Sequence, residues 1–188
     1  MAKFIKAEIP DVVVIEPQVF GDERGYFFEP YNKSEFEEYV GPVDFVQEGQ
    51  SKSSYGVLRG LHFQMDPYAQ AKYVGVMRGR VLDVAVDIRK GSPTYGRHVA
   101  LEISDENKLR IFIPRGFAHG FLTLSEEAIF YYKYDNYYQP EAESGIRFDD
   151  PDLSIDWRIP KEDIILSDKD KRWKFLAETA NNFVYAQQ

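Results

Sequence analysis

Hydrophobic and polar positions alternate with a period of two along much of the chain. In VLDVAVDIR, Val81 to Arg89, the residues Leu82, Val84, Val86 and Ile88 fall on one face and Asp83, Ala85, Asp87 and Arg89 on the other, which predicts a half-buried strand. KYVGVMRGRVLDV reads as two strands meeting at Arg78-Gly79-Arg80. HVALEIS, then DENK, then LRIFIP reads as a hairpin around a polar turn, and GFLTL and AIFYYKY continue the series. Turn signals recur about every eight to twelve residues, as in an all-β sandwich or barrel. One helix is predicted: NKSEFEEYVGP sets Phe36, Tyr39 and Val40 on one face, with Asn32 or Ser34 as cap and Gly41-Pro42 as stop. After Pro140 the alternation weakens. FDDPDLSIDW reads as irregular packing over a sheet and KDKRWKFLAE as a short terminal helix; residues 179–188 match no element. The length suits one domain over residues 1–188.

Composition narrows the function. There is no cysteine, which excludes disulfides, thiolate-bound zinc and thiol nucleophiles and suits a reducing compartment. The net charge of −8 and the lack of a basic stripe argue against nucleic acid as a partner. The longest apolar run near the start, Val12 to Ile15, is too short for a signal-peptide core or a membrane span. The expectation is a cytoplasmic protein with no membrane contact.

The candidate chemistry starts at GVLRGLHFQ, Gly56 to Gln64, where Arg59, His62 and Gln64 crowd one strand. A core strand has little use for so many polar groups. Strict alternation puts Arg59 and His62 on opposite faces, so both reach one pocket only if the strand bends or bulges at Gly60. His119, in PRGFAHGFLTL between Gly116 and Gly120, suggests close backbone approach; a histidine packed at a strand start is its plainer reading. His98 reads as surface or strand packing. Two histidines and an acid would suit a metal, but the His-x-His pair typical of a β-barrel oxygenase is missing, since Gln64 stands in its second place. Lys72 opens a strand, and inside a polar barrel it would be a fixed cation beside a developing anion. Tyr132 and Tyr134 share a face with Ala128 and Phe130. Tyrosines on a sheet mostly pack, but a phenol in a pocket can donate a proton, and Tyr137 and Tyr138 can stack on a base or sugar. In ILSDKDKRW, one of Asp168 and Asp170 would orient a histidine, unless the run is a solvated charge cluster. Arg24, in a turn, matches the geometry of phosphate, with a surface ion pair as the alternative.

Together these stretches resemble one family. FGDERGYFFEPYN, FVQEGQSKSSYGVLRGLHFQ, AQAKYVGVMRGRVLDVAVDIRKGSPTYG, IPRGFAHGFLTLSE, YKYDNYYQPEAESGIRFDDPDLSIDW and LSDKD are similar to the dTDP-4-dehydrorhamnose 3,5-epimerases over about residues 3 to 176. The resemblance implies a cupin-type jelly-roll fold, a homodimer, no metal or other cofactor, and a nucleotide-sugar substrate, dTDP-4-dehydro-6-deoxy-D-glucose. It implies that His62 is the general base, Tyr132 the proton donor and Asp170 the partner of the histidine. Lys72 and His119 match substrate-binding residues, Lys72 beside the enolate oxygen. Arg24, Glu29, Gln47, Arg59, Glu143 and Lys169 match positions that hold the nucleotide sugar, and Tyr138 the ring that stacks on thymine. The partner subunit would supply some N-terminal contacts. The chain departs from the family at Glu48-Gly49-Gln50, where Asp-Asn-His usually follows Gln47, and at Arg158, where proline commonly follows the tryptophan. Single-centre epimerisation at C3 or C5, a metal-dependent cupin and a non-catalytic carbohydrate-binding jelly roll are the competing readings.

Overall fold

The structure, a computed structural model, describes residues 1–186 of the chain. Thirteen strands form among them: β1 (Lys3–Lys6), β2 (Val13–Glu16), β3 (Val19–Asp22), β4 (Gly25–Phe28), β5 (Gln47–Ser54), β6 (Leu58–Gln64), β7 (Lys72–Arg78), β8 (Arg80–Asp87), β9 (His98–Ser104), β10 (Arg110–Ile113), β11 (Phe117–Thr123), β12 (Glu127–Tyr134) and β13 (Glu143–Gly145). They build a six-stranded sheet, β1-β2-β10-β7-β12-β5, a five-stranded sheet, β13-β6-β11-β8-β9, and the separate β3–β4 hairpin. This is the expected all-β, cupin-type jelly roll.

The two large sheets face each other across a core of Val74, Val76, Ile111 and Phe130 from one side and Val81, Ala85, Ile103 and Phe121 from the other. Phe121 and Phe130 stack across the gap, with centroids 4.2 Å apart. The outer face of the six-stranded sheet is covered by helix α1 (Lys33–Tyr39), whose buried Phe36 packs on Tyr73 and Phe112. Asn32 caps this helix by accepting from the Ser34 and Glu35 amides. The outer face of the five-stranded sheet is covered by the irregular C-terminal third, through Phe148, Leu153, Trp157, Leu176 and Phe183.

Three local expectations change. Strand β8 is buried on both faces rather than one, because it lies inside the sheet between β11 and β9, with the core on one side and the C-terminal segments on the other. The sequence from His98 to Pro114 is not a hairpin. β9 pairs with β8, while β10 pairs with β2 and β7, so the polar turn carries the chain from one sheet to the other. The same crossing occurs at Gly79, between β7 and β8. There the backbone is left-handed and a Cβ would lie 2.1 Å from the Glu127 carbonyl oxygen, so the corner requires glycine. The segment KDKRWKFLAE forms two 3₁₀ turns, Asp170–Arg172 and Leu176–Glu178, instead of a helix. In the tail that the sequence pattern left open, Phe183 is buried and Val184 bridges Lys90; residues 187–188 lie outside the described residues.

The expected bulge in β6 forms. His62 pairs with His119 and Arg59 with Phe121, so three steps along β6 match two along β11. At the bulge the backbones nearly touch: a Cβ on Gly60 would lie 2.5 Å from the Gly120 Cα, and Gly60 has φ +126°. Gly60→Ala therefore meets both a clash and a strained backbone. It should lower stability by about 2–4 kcal/mol, measured as the change in chemical unfolding free energy against the unaltered chain.

Candidate active site

A cavity of about 770 Å³ opens between the two large sheets. The five-stranded sheet contributes Arg59 and His62 from β6 and His119 from β11; the six-stranded sheet contributes Lys72 from β7, Tyr132 and Tyr134 from β12, and Gln47, Gly49 and Ser51 from β5. The bulge at Gly60 is what lets Arg59 and His62 share it. Glu143, Lys169 and Asp170 close the rim from the C-terminal third.

His62 Nε2 lies 2.5 Å from Asp170 Oδ1. The other carboxylate oxygen accepts from Ser167 Oγ at 2.8 Å, and the Trp173 indole N–H donates to Oδ1 at 3.1 Å. Burial pushes the Asp170 carboxyl up, but the bonds from His62, Ser167 and Trp173 outweigh it and hold the group below the ordinary carboxylate range. Asp170 is thus an anion that accepts the Nε2 proton, and His62 Nδ1 has no hydrogen-bond partner among the described residues. Asp168 is exposed and pairs with Lys171, which resolves the choice between the two aspartates. A second buried pair lies beside the first: His119 Nε2 to Asp83 Oδ1, 2.8 Å. Burial lowers the His119 imidazole's affinity for a proton, against the pull of Asp83.

Lys72 is buried, and its ammonium lies 3.4 Å from the His62 carbonyl oxygen. Burial lowers its pKa to about 8, against the nearby carboxylates Asp83 and Glu143. Tyr132 donates to or accepts from Ser51 Oγ at 3.2 Å. Its ring lies between Phe130 and Tyr134, at centroid distances of 4.8 and 5.5 Å. Burial raises the phenol to about 12, despite Ser51 and Arg59, so it is a neutral O–H at neutral pH. Arg59 is held from β5 by Ser53 Oγ at 3.0 Å and the Lys52 carbonyl at 3.2 Å.

The rim gathers four of the sequence candidates. Lys169 Nζ lies 2.8 and 2.9 Å from the two Glu143 carboxylate oxygens, Tyr138 donates its hydroxyl to Glu143 at 2.9 Å, and the Tyr138 amide donates to Gln47 at 3.0 Å. Gln64, in the second place of the missing His-x-His pair, accepts from the Gln139 amide at 2.6 Å and donates to the Tyr68 carbonyl at 2.7 Å. It ties down the loop that carries Tyr138. Gly49 leaves bare wall beside Tyr134. Arg158 stands in the left-handed region at φ 62°, a conformation closed to proline. Two candidates lie elsewhere in this chain. Arg24 sits exposed at the tip of the β3–β4 hairpin, 2.5 Å from the Asp22 carboxylate, and Glu29 lines a separate small recess near Tyr31. Sequence reading missed Ser51, Asp83, Ser167 and Trp173. Only the last two carried a signal, standing three residues either side of Asp170.

Comparison with known proteins gives one consistent result. A family model described as dTDP-4-dehydrorhamnose 3,5-epimerase matches residues 6–178. The dTDP-4-dehydrorhamnose 3,5-epimerase of Shigella flexneri is 56% identical over 167 residues, covering 88% of this chain and 91% of that relative. The crystal structure of dTDP-4-dehydrorhamnose 3,5-epimerase from Elizabethkingia anophelis NUHP1 aligns with a TM-score of 0.90 at 54% identity, over 94% of this chain and 97% of the other. That of dTDP-6-deoxy-D-glucose-3,5-epimerase from Legionella pneumophila Philadelphia 1, in complex with dTDP-4-keto-L-rhamnose, aligns at 0.91 and 46% identity, over 95% and 94%.

Burying Lys72 has a cost in stability. A base whose folded pKa lies near 8, below the ordinary 10.5, disfavours folding at pH values below 8, and the penalty fades as pH rises towards 10.5. Lys72→Met should therefore stabilise the chain by about 1–3 kcal/mol at pH 7, with the advantage shrinking between about pH 8 and 10. Chemical unfolding at both ends of that range reads it.

Proposed function

The chain belongs to the dTDP-4-dehydrorhamnose 3,5-epimerase family and is an isomerase; on that premise we propose that His62 and Tyr132 exchange protons with C3 and C5 of dTDP-4-dehydro-6-deoxy-D-glucose from opposite walls of the cavity. The product is dTDP-4-dehydro-L-rhamnose, a step towards dTDP-L-rhamnose. The observation that carries the assignment is that His62 and Tyr132 stand on strands of opposing sheets and line one space. Epimerisation next to a ketone needs a base on one face and an acid on the other.

The C4 ketone makes the C3 and C5 hydrogens acidic, because loss of either leaves an enolate. His62 takes the proton on Nδ1. Asp170, ionised and bonded to Nε2, fixes the tautomer and stabilises the imidazolium. Negative charge moves to the C4 oxygen, where the buried Lys72 ammonium supports it in a low-dielectric site. Tyr132 then returns a proton to the opposite face of the carbon. Its raised pKa keeps it protonated until the enolate draws the proton away, with Ser51 left to support the phenolate. The phenol regains its proton and the imidazolium loses its own before the second centre reacts, so the net change is inversion with no oxidant or cofactor consumed.

Arg59 and Lys169 are read as neutralising the diphosphate, Tyr138 as stacking on thymine, and Gln47, His119 and Glu143 as fixing the nucleotide sugar. We read the enzyme as a homodimer. The β3–β4 hairpin exposes Val19, Phe20, Tyr26 and Phe27, and Arg24 and Glu29, remote from this chain's own cavity, would reach that of the partner. We place it in the cytoplasm, a compartment that suits a chain without cysteine.

Turnover of dTDP-4-dehydro-6-deoxy-D-glucose in D₂O tests the function. Deuterium should enter at both C3 and C5, located by NMR, with inverted stereochemistry; deuterium at one carbon would make the protein a single-centre epimerase. His62→Asn should lose at least about 10³-fold in kcat with substrate still bound, an outcome that a binding module could not give. The alkaline side of the pH profile tests Lys72 separately. Because its charge supports the enolate and is lost as pH rises through about 8, kcat/KM should fall above that pH, and Lys72→Arg, which stays charged, should remove the fall.

A further inference from the structure

We propose that Trp173 is a positioning residue for the proton-transfer pair: its indole N–H donates to the same Asp170 oxygen that bonds His62, and so fixes that oxygen and limits the charge it offers the imidazole. The proposal rests on the reading of His62 as the base.

Asp170 Oδ1 receives two N–H donors, His62 Nε2 at 2.5 Å and Trp173 Nε1 at 3.1 Å. Oδ2 is occupied by Ser167 Oγ at 2.8 Å, which in turn accepts the Asp170 amide at 3.1 Å. Each carboxylate oxygen therefore has a donor independent of His62, and the carboxylate plane is set before the histidine is counted. The indole is itself seated. A Cβ on Gly145 would fall 2.6 Å from the ring, so the indole lies against bare backbone. That glycine pairs with His62 in the β13–β6 ladder. The His62 and Trp173 rings meet edge to face, with centroids 6.1 Å apart. Trp173 thus touches both members of the pair without lining the cavity.

A donor on Oδ1 shares the charge that would otherwise strengthen the bond to the imidazolium. Without it, more of the oxygen's charge falls on its bond to the imidazolium, which strengthens. The other groups facing the pair are Lys72 from β7, His119 from β11 with Asp83 of β8 behind it, Glu143 from β13 with Lys169 bonded to it, Arg59 on β6 itself, and Tyr132 across the cavity. None of them bonds to the Trp173 indole, whose N–H goes to Asp170 Oδ1.

Trp173→Phe keeps a ring against Gly145 and removes the N–H. The acidic limb of its kcat/KM profile should move to higher pH, giving roughly a three- to tenfold loss below the limb and little change on the plateau. A role in packing alone would lower activity evenly at all pH values, and an unmoved limb in a folded variant overturns the proposal. A second readout needs no turnover. The chain has three histidines and two tryptophans, so their ring signals can be assigned by NMR. In the unaltered chain the Trp173 indole N–H signal should move as His62 titrates, while that of Trp157, bonded to the Phe148 carbonyl, stays still. A stationary Trp173 signal overturns the proposal even if Trp173→Phe fails to fold. Should the nucleotide sugar prove not to be turned over, the reading of the function fails on its own, and the NMR titration still decides the role of Trp173.

Discussion

Two glycines touching back to back hold the site in register. Gly60 on β6 and Gly120 on β11 approach so closely that neither has room for a Cβ. The contact absorbs one extra residue in β6. Without it, period-two alternation would turn Arg59 and His62 to opposite faces of the sheet. With it, both face the cavity, and His62 comes level with His119 on the neighbouring strand. The aspartate that orients His62, the cation beside its carbonyl and the phenol across the gap are all placed relative to that strand.

The electrostatics of the cavity are local. In a chain of net charge −8, the groups around it are matched within hydrogen-bond distance: His62 with Asp170, His119 with Asp83, Lys169 with Glu143. Lys72 and Arg59 are the exceptions, for neither makes an ion pair among the described residues, and of the two only Lys72 is buried. Its lowered pKa records the cost of leaving an ammonium buried and unmatched.

Half of the His62–Asp170 pair comes from chain without regular structure. Ser167, Asp170 and Trp173 follow one another through a 3₁₀ turn, held by isolated bridges from Val57 to Ile165 and from Ile146 to Lys174. Precision in this segment comes from its covered side. Trp157, Leu153 and Leu176 are buried against the five-stranded sheet, and Gly145 offers the indole a flat seat. An irregular segment packed this way holds a side chain as firmly as a strand does.

Much of this was legible in the residues alone. Alternation marked seven of the thirteen strands, β6 to β12, but not β1 to β5 or the three-residue β13; Asn32 and Gly41 marked the ends of the helix. The crowding of Arg59, His62 and Gln64 on one strand pointed to a pocket and to a bend at Gly60. The resemblance carried by the motifs supplied Asp170, Tyr132 and the rim residues with their expected roles. Other features were not legible. The turn after Ser104 looks like a hairpin because local pattern cannot say which sheet a strand will join. β8 looks half-exposed because the cover on its second face comes from residues far along the chain. The place of Arg24 and Glu29, away from their own chain's cavity, follows from the path of a hairpin that neither large sheet absorbs. Asp83, Ser51 and Trp173 acquire meaning only when strands from both sheets and the C-terminal segment meet. The sequence by itself determined the kinds of element and the chemistry available, because backbone periodicity and side-chain type are local properties. Tertiary structure decided which groups pair, which charge stays unmatched and which nitrogen is free, because those depend on distances between residues up to 108 positions apart.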